Sequence, residues 1–312
     1  MIHACVGGGA AVLDVISALV ARSGRAVVHV EAPALSDRLA DIAVLLCGIP
    51  PAIDWSSARS LRFLQLMGSG VDNLWPATGL PETVTIANAR GIHLPEMRDH
   101  ALALILAFER GVPELVAAQR ERQWRPFAPG SVSGKTVGIL GLGEVGRSIA
   151  LACAALGMRV VGTRAESRPT PHVDRVYPPA GHDEVCRSAD YVVITLPLTR
   201  RTRNLVCAES LARMRPSAVI VHLSRGGILD EAALEAALRA GELRGAALDV
   251  FVDEPLPETS TLWSTPNLLV SPHIAGWTTD YVERAIHLFL SNLELVEREL
   301  PPATLVIRER EY

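Results

Sequence analysis

Short apolar runs alternate with segments whose apolar residues recur every three or four positions, and this alternation continues over nearly all of the 312 residues. The runs are long enough for strands buried on both faces, and the intervening period marks amphipathic helices. In the first hundred residues, strands are expected at 2–6, 26–30, 42–47, 63–66 and 84–88, with helices beginning near Ala10 and Trp55. Residues 96–110 read as a strong helix, which Gly111 and Pro113 break before a second helix over 114–123. From Thr136 the pattern restarts with greater regularity: strand 136–140, helix 144–156 closed by Gly157, strand 159–162. Strands at 191–196, 218–223, 245–250 and 268–271 follow, with a helix at 231–240. A last helix, 279–300, lies beyond this set and is expected to return to the N-terminal part of the chain.

Composition narrows the class. A chain 49% hydrophobic but only 4% aromatic suits helices packed on parallel sheets, and its length suits two domains of ordinary size. Thirty basic residues stand against 34 acidic ones, a net charge of −4, without a long block of either sign. A nucleic-acid or membrane-surface partner is therefore not expected. Cys5, Cys47, Cys153, Cys186 and Cys207 are odd in number, far apart and never in a CxxC spacing, so they read as small buried hydrophobes and no metal site is expected. The longest uncharged apolar run, 101–108, is too short to span a bilayer, and no basic-then-apolar leader opens the chain. A soluble, cytoplasmic protein is the expectation.

Chemistry enters at Gly141-Leu142-Gly143-Glu144-Val145-Gly146, a GxGxxG placed between a strand and a helix. Gly141 permits the tight turn, Gly143 lets backbone approach a pyrophosphate, and Gly146 allows close helix–strand packing, while the helix N-terminus offers amides to phosphate. At the tip of the next strand, Gly162-Thr163-Arg164-Ala165 carries no acid for a ribose 2′-hydroxyl. Arg164, aided by Thr163, Ser167 or Arg168, can instead hold a 2′-phosphate. NADP is favoured as cofactor and NAD stays open, with Arg164 then stacking on adenine.

Three more segments place charge at the ends of apolar strands: Leu223-Ser224-Arg225-Gly226-Gly227, Asp249 through Pro255, and Ser271-Pro272-His273 running on to Gly276 and Trp277. Ligands bind at such carboxyl ends. The two glycines beside Arg225 suggest close backbone approach to a ligand. In this order the segments resemble the D-isomer-specific 2-hydroxyacid dehydrogenase family, including its glyoxylate and hydroxypyruvate reductases. Gly68-Ser69-Gly70-Val71-Asp72 resembles the family's substrate-carboxylate loop, and Asn88–Gly91 with 102–106 its domain-crossing segment.

The resemblance implies a catalytic Arg225, Glu254 and His273. His273 would give or take the proton at the C2 oxygen, Glu254 would fix its tautomer, and Arg225 would bind the substrate carboxylate. It further implies that Ser69, Gly70 and Val71 bind substrate, with Arg225 and His273. Asp249 would hold the nicotinamide carboxamide, and Leu196, Pro197 and Thr202, together with Leu223, Ser224 and Gly276, would border the cofactor. The architecture implied is α/β: two Rossmann-like doubly wound parallel-sheet domains around a cleft. One is a flavodoxin-like substrate domain, 1–97 and 281–312, and the other an NAD(P)-binding domain, 98–280. The helices between 96 and 123 carry more apolar residues than one domain needs, and the resemblance implies that they form a homodimer interface. Leu66, Met67, Trp75 and Trp277 suggest an apolar surface for the substrate, and Gly7-Gly8-Gly9 reads as a tight turn. The expected reaction is interconversion of a small 2-oxo acid and its D-2-hydroxy acid. A dinucleotide-sensing binding protein of the same fold, or a formate- or phosphite-type dehydrogenase, remains the alternative.

Overall fold

Burial on both faces, which the apolar runs require, is met by two parallel sheets. The computed structural model describes residues 1–75 and 79–312, and the chain divides into two units, Met1–His93 with Thr278–Tyr312, and Leu94–Trp277. The crossings lie at 93/94 and 277/278, ahead of the 97/98 and 280/281 read from sequence, because Leu94 already opens the helix Leu94–Arg110.

In the first unit, β1 (Ile2–Cys5), β2 (Val27–His29), β3 (Val44–Cys47), β4 (Phe63–Leu66) and β5 (Thr85–Ala87) pair in the order β2-β1-β3-β4-β5, parallel throughout. This is the flavodoxin-like order. One face carries Leu45, Leu64 and Leu66 against Leu35, Trp55 and Leu74. The other carries Ile2, Leu46 and Phe63 against Ile16 and Val20 and against Phe289 and Leu293 of the last helix, Tyr281–Glu297. That helix thus completes the N-terminal unit, with Phe63 and Phe289 stacked at 6.1 Å.

No helix begins near Trp55. The Asp54 carboxylate accepts both the amide and the hydroxyl of Ser56 at 2.9 Å, closing a turn that leaves the Trp55 side chain fully buried. A helix not foreseen, Ala32–Arg38, stands instead between β2 and β3. Gly8 and Gly9 both have positive φ, the tight turn expected of them.

The second unit contains seven strands: β6 (Thr136–Leu140), β7 (Arg159–Thr163), β8 (Arg175–Tyr177), β9 (Tyr191–Ile194), β10 (Val219–His222), β11 (Gly245–Leu248) and β12 (Leu268–Val270). Their order is β12-β11-β10-β9-β6-β7-β8, again parallel. The order reverses between β6 and β9, the switch point of a Rossmann sheet. β8 was not among the six expected strands; it is a three-residue edge strand whose Arg175 lies over the Tyr177 ring at 4.6 Å. Helices His182–Ser188 and Ala208–Ala212 were also not foreseen. Several strands stop short of the lengths read from sequence, β9 at Ile194 rather than 196, because the following residues leave the ladder to build the carboxyl-end loops.

Four of the five cysteines are buried and all five are free. Burial pushes the Cys153 and Cys186 thiols up to about 12. Among the described residues no helix is long and apolar enough to cross a membrane.

Candidate active site

The glycine-rich turn joins β6 to the helix Glu144–Ala155. Gly141 has φ +107°, open to glycine at no cost, and a Cβ on Gly146 would stand 2.1 Å from the Gly141 carbonyl oxygen. These two glycines are required by the protein itself. Gly143 is different: its φ of −74° suits any residue, and a Cβ there would meet nothing within 4 Å. Among the described residues no side chain caps the helix that follows, which leaves its first-turn amides without a side-chain acceptor. An uncapped helix start beside an uncrowded glycine fits a bound pyrophosphate. Leu142 is buried beneath the turn, and Val145 packs on the same core.

Thr163, at the tip of β7, is buried and accepts the Gly141 amide at 3.1 Å, so its hydroxyl braces the turn rather than reaching outward. Arg164 follows, half-buried, its guanidinium donating to the Thr170 hydroxyl at 3.2 Å. After β9, Thr195 donates to the Gly141 carbonyl at 2.8 Å, which draws Leu196 against the phosphate turn. Thr202 closes the next bend: its hydroxyl donates to the Pro197 carbonyl at 2.6 Å and accepts the Thr199 amide at 2.8 Å. Leu196 and Pro197 thus border the turn, while Thr202 shapes them from behind.

Arg225, Glu254 and His273 follow β10, β11 and β12, three adjacent strands of one sheet. His273 Nδ1 lies 2.6 Å from Glu254 Oε2, and the other oxygen of Glu254 accepts the Phe251 amide at 2.9 Å. A carboxylate facing Nδ1 fixes the tautomer with a proton on Nδ1 and points Nε2 away from Glu254. Nε2 makes no hydrogen bond among the described residues, and the ring is 40% exposed. His273 also has φ +53°, a left-handed conformation rare for a residue with a Cβ. The Arg225 guanidinium donates to the Ser224 carbonyl at 2.7 Å.

Gly226 is required by the packing of two loops. A Cβ there would lie 1.9 Å from the Phe251 carbonyl oxygen, so the loop of Arg225 packs backbone to backbone on the loop of Glu254. Gly227 is needed for its φ of +82°.

Asp249 is 1% exposed, and its carboxylate is engaged by the chain. Oδ1 accepts the Ser271 hydroxyl at 2.6 Å and the Ile274 amide at 3.0 Å; Oδ2 accepts the Ala275 amide at 2.9 Å. His100, on the helix Leu94–Arg110, reaches the Ser271 hydroxyl at 3.2 Å. Asp249 thereby clamps residues 271–275 on both sides of His273. Gly276, half-exposed, ends this loop.

His222, at the end of β10, is fully buried, and burial lowers its pKa to about 4. Its Nδ1 lies 3.4 Å from the Ser224 hydroxyl. Neither His100 nor His222 stood out in the sequence, since each sits inside an apolar element where histidine carries no spacing signal. Leu223 is buried in the core.

In the first unit, Ser69 and Gly70 are half-exposed on the loop after β4, and the Ser69 carbonyl accepts Asn88 Nδ2 at 2.7 Å. Val71 is buried in the core, so only its backbone can meet a ligand. Leu66 and Met67 are buried too, and Trp75 donates to the Glu311 carbonyl at 3.0 Å. Of the apolar surface expected for the substrate, Trp277 is the member that is largely exposed.

Residues 102–275 match the model of the D-isomer specific 2-hydroxyacid dehydrogenase, NAD binding domain. The chain belongs to the D-isomer specific 2-hydroxyacid dehydrogenase family. The phosphate turn and all of Arg225, Glu254 and His273 lie within the matched residues of this family member. Among its relatives is the D-3-phosphoglycerate dehydrogenase of Mycobacterium bovis, 34% identical over 232 residues that cover 74% of this chain and 44% of that protein. The chain thus spans less than half the length of such relatives. The glyoxylate reductase of Pyrococcus furiosus is 30% identical over 289 residues, 88% of this chain and 85% of that one. Among solved structures, a D-isomer specific 2-hydroxyacid dehydrogenase from Xanthobacter autotrophicus Py2, in complex with NADPH and MES, superposes with a TM-score of 0.89 at 29% identity, covering 100% and 99% of the two chains. An NADPH-dependent glyoxylate/hydroxypyruvate reductase from Sinorhizobium meliloti, in complex with NADP and sulfate, gives 0.89 at 28% identity with the same coverage.

Proposed function

We propose that this chain is a 2-oxo acid reductase of the glyoxylate/hydroxypyruvate type, forming a D-2-hydroxy acid with NADPH as the preferred reductant. The observation that carries the reading is the His273 ring: Nδ1 bound to Glu254 at 2.6 Å and Nε2 directed at no group of the described chain. That is the arrangement of a proton donor awaiting its acceptor.

The Gly141–Gly146 turn and the uncapped helix start would hold the pyrophosphate, and Arg164 the 2′-phosphate. Bound there, a nicotinamide supplies the hydride. His273 Nε2 delivers the proton to the oxygen at C2, and Glu254 holds the ring in place through Nδ1 while it does so. Arg225 holds the carboxylate and polarises the carbonyl with a forked pair of donors. In the first unit, the backbone of Ser69, Gly70 and Val71 is the proposed carboxylate-binding element.

Two comparisons favour this substrate class over a phosphorylated hydroxy acid. Likeness to the glyoxylate reductase runs over 85% of that protein, against 44% for the phosphoglycerate dehydrogenase. The two solved structures with NADPH or NADP also match over the full chain, which supports the role given to Arg164. The helix Val112–Arg120 and the residues after it expose Val112, Leu115, Val116 and Phe127, with Trp124 96% exposed; a second copy of the chain is the proposed cover, forming a homodimer.

The test is steady-state oxidation of NADPH and of NADH with glyoxylate, hydroxypyruvate, pyruvate, phenylpyruvate and 3-phosphohydroxypyruvate. Turnover favouring NADPH with one of the first two is expected. A preference for the phosphorylated acid would reassign the substrate, and tight dinucleotide binding without turnover would favour a sensing protein.

A further inference from the structure

The loop that carries Glu254 is gripped from outside the Arg225–Glu254–His273 group. Its Val252 amide donates to Glu231 Oε1 at 2.7 Å, next to the Phe251 amide that Glu254 itself accepts. Glu231 opens the helix Glu231–Arg239, capped at its start by Asp230, whose carboxylate accepts the Ala233 amide at 3.0 Å. The same stretch of chain begins at Arg225 and includes Gly226, packed against the Phe251 and Val252 backbone. Residues 225–231 therefore hold residues 251–254 at two points, a close backbone contact at Gly226 and a charge-assisted hydrogen bond at Glu231. Burial pushes the Glu231 carboxyl up, the Val252 amide opposes that, and the neighbouring charges of Asp253, Glu254 and Asp230 add to it.

We infer that Glu231 is a positioning residue for the Glu254–His273 pair, fixing through the Val252 amide the height at which the Glu254 carboxylate meets His273 Nδ1. The inference rests on the proposed reductase reading. It assigns Glu231 no contact with substrate or cofactor.

The test compares Glu231→Ala with Glu231→Gln, whose carboxamide oxygen can still accept the Val252 amide. Four quantities are read in the full chain: kcat, KM for the 2-oxo acid, the Kd of NADPH, and the titration midpoint of His273 by NMR. Glu231→Ala should lower kcat on the order of tenfold, with KM and the NADPH Kd within about twofold. Its His273 midpoint should differ measurably from the parent's, because Glu254 no longer meets Nδ1 at the same position. Glu231→Gln should restore kcat to within about threefold of the parent. The inference is overturned if Glu231→Ala keeps parental kcat and His273 titration, if Glu231→Gln is as impaired as Glu231→Ala, or if NADPH binding is lost along with kcat. A parent that reduces no 2-oxo acid would defeat the reductase reading alone, since the His273 titration still decides whether Glu231 positions Glu254.

Discussion

The two ends of the seven-stranded sheet handle charge in opposite ways. At the amino ends, Glu109 is 2% exposed and gathers Lys135 Nζ at 2.9 Å, the Tyr191 hydroxyl at 2.5 Å and Arg244 Nη1 at 3.2 Å on one oxygen. Burial opposes its charge, yet these three donors hold its carboxyl below the usual range, while burial and Glu109 push the Tyr191 hydroxyl up. Arg244 also donates to the Phe108 carbonyl. At the carboxyl ends, His273 sits half-exposed in a left-handed conformation with one ring nitrogen engaged and the other not. Both clusters pair acids with cations. The difference is that the first turns three donors inward onto one buried carboxylate oxygen, as a structural network does, and the second is strained and open, as a reacting site is.

The comparison is broken most forcefully from the closed side. Glu109→Ala should cost about 3 kcal/mol, because it leaves the buried Tyr191 hydroxyl and the half-buried Lys135 and Arg244 without their shared acceptor, and leave the kcat of the folded protein near that of the parent; thermal melting beside turnover checks both halves. A fall in kcat at unchanged stability would mean that the amino end is functional after all.

His222 sharpens the contrast, since it stands at the carboxyl end yet is as enclosed as Glu109. Its folded value of about 4 lies below the ordinary 6.5, so the unfolded chain takes up the proton first. The stability from keeping this ring neutral is complete above the unfolded value and is lost as pH falls from 6.5 towards 4, amounting to about 3 kcal/mol. Urea unfolding of His222→Asn across that window should show a flatter acid limb than the parent.

Asp249→Asn keeps the shape of the clamp but removes its charge. The loop of His273 should loosen, lowering kcat by about 10- to 100-fold with the NADPH Kd little changed. Fluorescence titration with NADPH separates this from a direct cofactor contact, in which Kd would rise instead. The smallest effect expected is at Arg164: replacement by Ala should reduce the preference for NADPH over NADH by roughly tenfold, read as the ratio of the two kcat/KM values.

What was legible in the sequence follows the same division. Apolar runs marked the buried strands, and Gly141 and Gly146 marked a turn that no other residue could make. The edge strand Arg175–Tyr177 was hidden because its burial is partial and its first residue is an exposed cation. Trp55 lies in a stretch that looks helical by spacing, yet a local carboxylate–serine turn decides its path. For Arg225, Glu254 and His273, residue type and order were enough to nominate them. For Asp249 and Gly226 they were not, because a carboxylate or a glycine at a strand end serves a ligand or a neighbouring loop equally well. The positions of Ser271, Ile274, Ala275 and Phe251 reveal the contacts with neighbouring loops. Glu231 and His100 act through other residues, and such action leaves no motif.

The most direct test of the carboxyl-end assignment follows deuterium from NADPH labelled at nicotinamide C4 into glyoxylate or hydroxypyruvate, with the parent and His273→Ala run side by side. The account predicts label at C2 of the hydroxy acid with the parent, and transfer slowed by about 10²- to 10⁴-fold in the variant at unchanged NADPH affinity. Label transferred equally fast by His273→Ala, or none by a parent that binds NADPH, would contradict it.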